Sequence, residues 1–162
     1  MTNPPIDALR EACKTDCSIY IGDDGNLLSR DPDNCTVLEL PSPVLTEGEL
    51  QRIRRIDHPS FQVREISLLY PVKTRLRQAV GDFFAACDAA CMNGANILIL
   101  SDKGVDADHL AIPSLLAVSA LEQHLIHIKK RTKVSVILES GEPRDTHQLA
   151  MLIAYEIGRA HV

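Results

Sequence analysis

The sequence predicts an α/β fold in which three consecutive βα units form a parallel sheet, partial and half-barrel-like, preceded by an irregular, proline-rich N-terminal segment. Residues 94–121 give the clearest signal, because a buried apolar run is followed by a charged loop and an amphipathic helix pattern. Similar patterns precede and follow this stretch. Six of the nine prolines lie in residues 1–60. We therefore expect residues 1–60 to be irregular and residues 61–155 to form the βα repeat.

The N-terminal part contains few signals of regular structure. The sequence predicts a short helix over Ile6–Cys13. The turn sequence Asp23–Asn26 separates the short apolar runs Ser18–Ile21 and Leu27–Leu28, which indicates a chain reversal there. The rest of this part should wrap over another surface of the protein.

The sequence also predicts a helix over Thr46–Ile56. Thr46 can cap its first turn, and Glu49 follows three residues later, which is the spacing of a capping box. This helix is the last element that we expect before the βα repeat.

The first βα unit combines a strand over Phe61–Leu69 with a helix over Thr74–Met92. The helix should end at Asn93-Gly94, since glycine readily adopts the conformation that closes a helix. Its apolar residues recur at spacings of three and four and predict an inward stripe of Leu76, Val80, Phe83, Phe84, Cys87 and Cys91.

The second βα unit has a strand over residues 95–100 and a helix over about 113–130. Pro113 can begin this helix, because the amide hydrogen that proline lacks has no partner in a first turn. Lys129, Lys130 and Arg131 suit the negative end of the helix dipole. The predicted inward stripe is Leu115, Val118, Leu121, Leu125 and Ile128.

The third βα unit has a strand over Lys133–Glu139 and a helix beginning near Pro143. In this helix Leu149, Leu152 and Ile153 are expected to face inward. Three such units in succession predict right-handed crossovers and a parallel sheet.

Composition excludes several classes of function. The chain has 162 residues, an apolar fraction of 45% and a net charge of −5, which favours neither nucleic acid nor an anionic membrane as a partner. No apolar run is long enough to span a bilayer, and the N-terminus lacks a signal-peptide pattern. Five cysteines without a CxxC pair do not support a disulfide framework or a four-ligand zinc site. A cytoplasmic location is therefore expected.

Polar side chains follow two neighbouring strands of the predicted sheet. Ser101 and Asp102 come at the end of one strand, and Glu139 and Ser140 at the end of the next. The carboxyl ends of parallel strands share one edge of a sheet, where open α/β proteins bind ligands. We expect these four residues to make loop or interdomain contacts rather than to catalyse a reaction.

Two other kinds of site stay open. The loop Ser140–Asp145 leads into a helix N-terminus and could hold a small anion, although its carboxylates would repel one. A metal site could use Cys13, Cys17, Cys87 and Cys91, but Cys87 and Cys91 suit a helix core better. His124 and His127 are also spaced for a metal, yet no third ligand lies nearby in sequence.

Three blocks of sequence occur in a recognisable order. They are Thr2–Glu11 with Gly25–Leu28 and Leu40–Leu45, then Gly94–Leu121, then Arg131–Tyr155. Together they resemble the large chain of glutamate synthase, in the central domain between its amidotransferase and FMN-binding domains. The blocks cover nearly the whole chain, which makes the resemblance specific.

The resemblance implies a flavoprotein that makes two glutamates from glutamine and 2-oxoglutarate. In that family an N-terminal cysteine releases ammonia, a tunnel carries it, and FMN reduces the imine formed at the second site. Iron–sulfur clusters relay electrons from a small subunit that uses a pyridine nucleotide, or from ferredoxin. The central domain is a connector, so this chain is expected to be a fragment with no catalytic, cofactor-binding or metal residue and no activity of its own. Its partners would be the amidotransferase and FMN domains of the intact chain.

Residues 156–162 depart from the family, where a glycine-rich GYGA is expected in place of Ala154–Ile157. One set of codons that would encode these seven residues, GAG ATC GGA AGA GCA CAC GTC, contains the start of a common sequencing-library adapter. We therefore expect a non-native tail, a hypothesis that resequencing of intact genomic DNA would refute by finding the same codons and their stop.

Overall fold

The fold is built on a parallel sheet, seen in a computed structural model that describes residues 15–23, 25, 28–29, 31–155 and 159–161. The strands, in chain order, are β1 Ile19–Ile21, β2 Leu38–Leu40, β3 Val44–Leu45, β4 Val63–Ser67, β5 Leu69–Pro71, β6 Ile97–Ser101, β7 His109–Ala111, β8 Ser135–Glu139 and β9 Arg159–His161. Five of them form the main sheet in the order β3-β9-β8-β6-β4, with every neighbouring pair parallel.

The α-helices are α1 Glu47–Arg54, α2 Leu76–Met92, α3 Ser114–His127 and α4 Thr146–Ala154, and Pro32–Cys35 and Arg131–Lys133 form 3-10 turns. The successive units β4–α2, β6–α3 and β8–α4 confirm the predicted fold class. Their strands are adjacent and parallel, and the sheet of the described residues does not close into a barrel.

Two apolar clusters cover the two faces of the sheet. On one face α2, α3 and α4 pack over residues such as Leu98, Leu100 and Leu138. On the other face α1, β1 and β2 pack over Ile99 and Ile137. Strand β6 is buried along its whole length, as its continuous apolar run predicts, because it contacts both clusters.

The predicted capping box of α1 is confirmed. The backbone N–H of Thr46 donates to Oε2 of Glu49 at 2.7 Å, and the backbone N–H of Glu49 donates to Oγ1 of Thr46 at 3.4 Å. Two unpaired donors of the first turn are thus satisfied. This cap determines where α1 begins.

Three residues expected to face inward are instead exposed by more than a third, so the prediction is wrong for Leu76, Leu115 and Ile153. Leu76 and Leu115 lie in the first turns of α2 and α3. Ile153 lies in the last turn of α4. The other members of the predicted stripes are buried or half-buried.

Helix α4 begins three residues after the predicted Pro143. Asp145 is its N-cap, and its carboxylate accepts a hydrogen bond of 2.8 Å from the backbone N–H of Gln148. The Ser140–Asp145 segment is therefore a loop, and its last residue caps the helix.

The N-terminal part is more regular than the sequence predicts. Strand β1 pairs antiparallel with β2. Leu27, in the run expected after the turn, lies outside the described residues. Gly22 and Ser135 tie this hairpin to the start of β8, through hydrogen bonds of 3.0 and 3.1 Å between the Ser135 hydroxyl and the Gly22 backbone. The predicted Ile6–Cys13 helix lies outside the described residues.

Several short strands had no sequence signal. Strand β5, which follows β4 directly, pairs antiparallel with β7 in a separate two-stranded sheet, and β9 lies between β8 and β3. Strand β9 falls within residues 156–162, whose non-native origin stays a prediction.

Candidate functional site

The carboxyl ends of β6 and β8 bring the four predicted contact residues together. Ser101 and Glu139 are the last residues of their strands and are register partners in the parallel pair. Asp102 and Ser140 follow them directly. Ser101, Glu139 and Ser140 are buried, and Asp102 is half-buried. The cluster is therefore where the sequence placed it, whereas its role in interdomain contact stays a prediction.

Glu139 is the centre of the cluster and is 3% exposed. Its Oε2 accepts hydrogen bonds from Oγ of Ser101 and Nη2 of Arg54, both at 2.6 Å. Its Oε1 lies 2.7 Å from Nζ of Lys103. Arg54 also donates from Nε to Glu65 at 3.0 Å, so one guanidinium links α1 to two strands.

These contacts keep Glu139 ionised. Burial raises its pKa, but hydrogen bonds from Lys103, Ser101 and Arg54 lower the pKa by more and hold it at about 2. A general acid or base needs a pKa near the working pH. Glu139 is therefore suited to holding two cations in place near neutral pH, and not to transferring protons.

A second set of hydrogen bonds joins the two loops that leave these strands. The Ser140 hydroxyl donates to Oδ2 of Asp102 at 2.5 Å, and the backbone N–H of Asp102 donates to the Glu139 carbonyl at 3.2 Å. The backbone N–H of Glu142 donates to Oγ of Ser140 at 3.1 Å. Through these hydrogen bonds, the four predicted residues hold both loops in one conformation.

Glu142 extends this connection to α3. Its Oε2 accepts hydrogen bonds from both the backbone N–H of Ser114, at 2.7 Å, and the Ser114 hydroxyl. Ser114 is the first residue of α3, so the β8–α4 loop supplies the carboxylate that caps this helix. No local sequence pattern identifies this cap, because the two residues are 28 positions apart.

The anion-binding alternative is not favoured by this geometry. At the start of α4, the Asp145 carboxylate already accepts from Gln148, and Oε1 of Gln148 accepts from the backbone N–H of Arg144 at 2.7 Å. At the start of α3, Glu142 occupies the corresponding place. An anion at either helix would have to displace a carboxylate.

An apolar cleft of about 280 Å³ lies beside this edge, between the first turns of α3 and α4. Its lining includes Leu115, Pro143, His147, Met151 and Leu152. The cleft adjoins Ser114 and Glu142 and so borders the hydrogen-bonded loops. Its apolar lining suits a protein contact better than a charged ligand.

Comparison with known proteins decides the family. The family model described as the glutamate synthase central domain matches residues 1–159 of this chain. The chain belongs to the glutamate synthase central domain family. Three curated relatives each match over 96% of the chain: the NADPH glutamate synthase large chain of Bacillus subtilis at 41% identity, the NADH glutamate synthase of Saccharomyces cerevisiae at 36%, and the chloroplastic ferredoxin-dependent glutamate synthase of Spinacia oleracea at 35%.

This central-domain chain spans about a tenth of the length of those relatives, namely 10%, 8% and 10%. The resemblance seen in the sequence is confirmed by these matches. The matched relatives differ in the electron donor that their names give, which is NADPH, NADH or ferredoxin.

The cysteines and histidines considered as metal ligands differ in their burial in this central domain. Cys17 is exposed and Cys91 is half-buried, whereas Cys87 is buried and its pKa is raised by that burial to about 12. Cys13 lies outside the described residues. In the described part of the chain, no three His, Cys, Asp or Glu side chains are grouped so that they could hold a metal ion.

His124 has a packing role between α2 and α3. Its Nε2 lies 2.9 Å from Oδ1 of Asp88, and its ring stacks on that of Phe84 with centroids 4.4 Å apart and planes 4° apart. His127 is exposed on α3. Within residues 15–23, 25, 28–29, 31–155 and 159–161, the side chains form no group of ligands that would fit an iron–sulfur cluster. None of the helices in these ranges is long and apolar enough to cross a membrane.

Proposed function

We propose that this chain works as the central domain of a glutamate synthase large chain and takes part in glutamate biosynthesis and ammonia assimilation. The observation that carries the proposal is the family match over residues 1–159. The reaction would be that of an oxidoreductase that forms glutamate from glutamine and 2-oxoglutarate. Its electron donor would be NADPH, NADH or ferredoxin, as in the names of the relatives.

The chemistry would take place outside this segment. We place the glutamine-hydrolysing cysteine, the FMN and the iron–sulfur cluster in other domains of the longer chain. A small subunit or ferredoxin would deliver electrons there. This segment would have neither catalytic nor cofactor-binding residues and would be inactive alone. We also propose a cytoplasmic location, supported by the free thiols of Cys17, Cys35, Cys87 and Cys91.

The carboxyl edge of the sheet would face the neighbouring domains. Ser101, Asp102, Glu139 and Ser140 hydrogen-bond within the chain, so they would act by holding the two loops above them in one conformation. The exposed side chain of Lys103 and the apolar cleft beside Glu142 would then meet the amidotransferase or FMN domain. Such a role needs a rigid edge, which buried ionic hydrogen bonds provide.

A chimera tests the proposal. Residues 1–155 would replace the matching segment of the Bacillus subtilis large chain, which is 41% identical. We expect the purified chimera to make glutamate from glutamine and 2-oxoglutarate at a rate within about tenfold of the parent enzyme. A folded chimera that hydrolyses glutamine but forms no glutamate from 2-oxoglutarate, with or without added ammonia, would contradict the proposal.

Variants in this chimera address the edge residues. Ser140→Ala removes the donor and Asp102→Ala the acceptor of the 2.5 Å hydrogen bond. We expect both to raise glutamine hydrolysis relative to the reductive formation of glutamate from 2-oxoglutarate. Ser135→Ala, at the opposite end of β8, is the matched control. Equal hydrolysis-to-synthesis ratios in all variants would count against a role in coupling.

A further inference from the structure

An apolar patch is left uncovered on the face of the sheet that carries α2, α3 and α4. Ile153 of α4 is 37% exposed and Val44 of β3 is 39% exposed. Leu45 packs into the cluster on the α1 face. Because successive strand residues point to opposite faces, Val44 points to the face that carries α2, α3 and α4.

Ile153 lies on the flank of α4 that faces away from α3. Met151 lines the cleft toward α3, and two residues correspond to a rotation of roughly 200° around a helix axis. Ala150, three residues before Ile153, shares its flank and is also exposed. Leu152 packs on the sheet. Helix α4 is therefore apolar on three sides, of which the Leu152 side is buried, whereas Met151 and Ile153 are each 37% exposed. An apolar flank without a cover is typical of a helix with a further neighbour.

The topology indicates where that neighbour comes from. Strand β9 is parallel to both β8 and β3. A parallel strand continues through a right-handed crossover, and the three preceding crossovers place their helices on the same face. A helix that follows β9 would lie beside α4, over β9 and β3, where Val44 and Ile153 are exposed.

We propose that an amphipathic helix, which follows β9 in a longer glutamate synthase chain, docks on the α4–β3 patch of Val44, Ala150 and Ile153. This inference rests on the proposed function, because it needs the remainder of a chain about ten times longer. It does not depend on the origin of residues 156–162. One edge of β8 is paired with β6, so a native strand after α4 would take the position of β9.

Lysine substitutions test the docking in two contexts, the 162-residue chain and a chimera with the Bacillus subtilis large chain that supplies the following residues. Ile153→Lys and Val44→Lys place a charge in the patch. Ile126→Lys is the matched control, because Ile126 is an exposed isoleucine in the last turn of α3. Ile153→Val keeps the patch apolar. Proteolysis followed by mass spectrometry measures the rate of cleavage within residues 1–155. This rate reports how often that segment unfolds locally.

We expect each lysine variant to change the cleavage rate of the 162-residue chain by no more than about twofold. In the chimera, Ile153→Lys and Val44→Lys should raise that rate at least about tenfold, because a buried charge is costly. Ile126→Lys and Ile153→Val should leave it within about twofold.

Two results would overturn the inference. One is a chimera whose cleavage rate is unaffected by Ile153→Lys. The other is a dimer of the 162-residue chain that Ile153→Lys dissociates in sedimentation experiments, which would assign the patch to a second copy. Because proteolysis does not require glutamate synthesis, a folded but inactive chimera would refute the proposed function and still test the docking.

Discussion

Arg54 and Glu139 join α1 to the carboxyl end of β8 through an ion pair of 2.6 Å between Nη2 and Oε2. Their side chains are 17% and 4% exposed, so solvent screens the pair little. The pair connects the N-terminal part to the βα repeat, and Ser101 donates to the same carboxylate oxygen. Glu139 therefore holds together three elements that are distant in sequence.

Replacement of Glu139 should destabilise the chain strongly. Glu139→Gln leaves the Arg54 guanidinium facing a neutral amide in a buried site, and we expect a loss of about 3 kcal/mol in the free energy of unfolding. Glu65→Gln is the matched control, because it removes the more exposed partner of Arg54 and should cost less than about 1 kcal/mol. Urea denaturation measures both. Equal losses would show that Glu139 has no special role.

Stability should fall in acid through Glu139. Its folded-state pKa of about 2 lies below the ordinary value of 4.5, so the folded state binds this proton less readily than the unfolded state. The resulting stabilisation is fully present above about pH 4.5 and is lost as the pH falls toward 2. It amounts to at most about 3 kcal/mol. Urea denaturation between pH 2.5 and 6, with on the order of one series per half pH unit, gives the free energy of unfolding at each pH. Its slope against pH should be steeper for the native chain than for Glu139→Gln. Parallel slopes would contradict this assignment.

The elements that sequence predicted well are those with long local patterns. Strand β6 has a continuous apolar run, and α1 has its capping box within four residues. Ser101 and Glu139 could be placed at one edge because parallel strands end together. The strands β5, β7 and β9 are only three residues long, too short to show a periodicity.

The partners in the site could not be predicted, because they are separated by long stretches of chain. Arg54 and Glu139 are 85 positions apart, and Ser114 and Glu142 are 28 apart. Only tertiary packing brings these pairs together. Likewise, helix periodicity placed Ile153 inward because α4 is apolar on several sides, and burial depends on which neighbours are present.

The cap that Glu142 provides should be measurable. Glu142→Ala removes the acceptor of both the Ser114 backbone N–H and its hydroxyl, and should cost about 1 to 2 kcal/mol. Arg144→Ala, in the same loop, is the control and should change stability by less than about 0.5 kcal/mol. A double-mutant cycle with Ser114→Ala should give a coupling energy above about 0.5 kcal/mol. Additive losses would mean that the two side chains act independently.

Thiol reactivity should separate the cysteines by burial. Burial, together with smaller contributions from the nearby Cys91 and Asp88, raises the pKa of Cys87 to about 12. Because the thiolate is the reactive form, Cys87 should alkylate about a thousandfold more slowly than an ordinary thiol. The exposed Cys17 and Cys35 should react at the rate of a free peptide.

Iodoacetamide labelling at pH 8, read by mass spectrometry with unfolded chain as the control, measures each rate. Labelling of Cys87 as fast as Cys17 in the folded chain would show that α2 does not pack on the sheet as described.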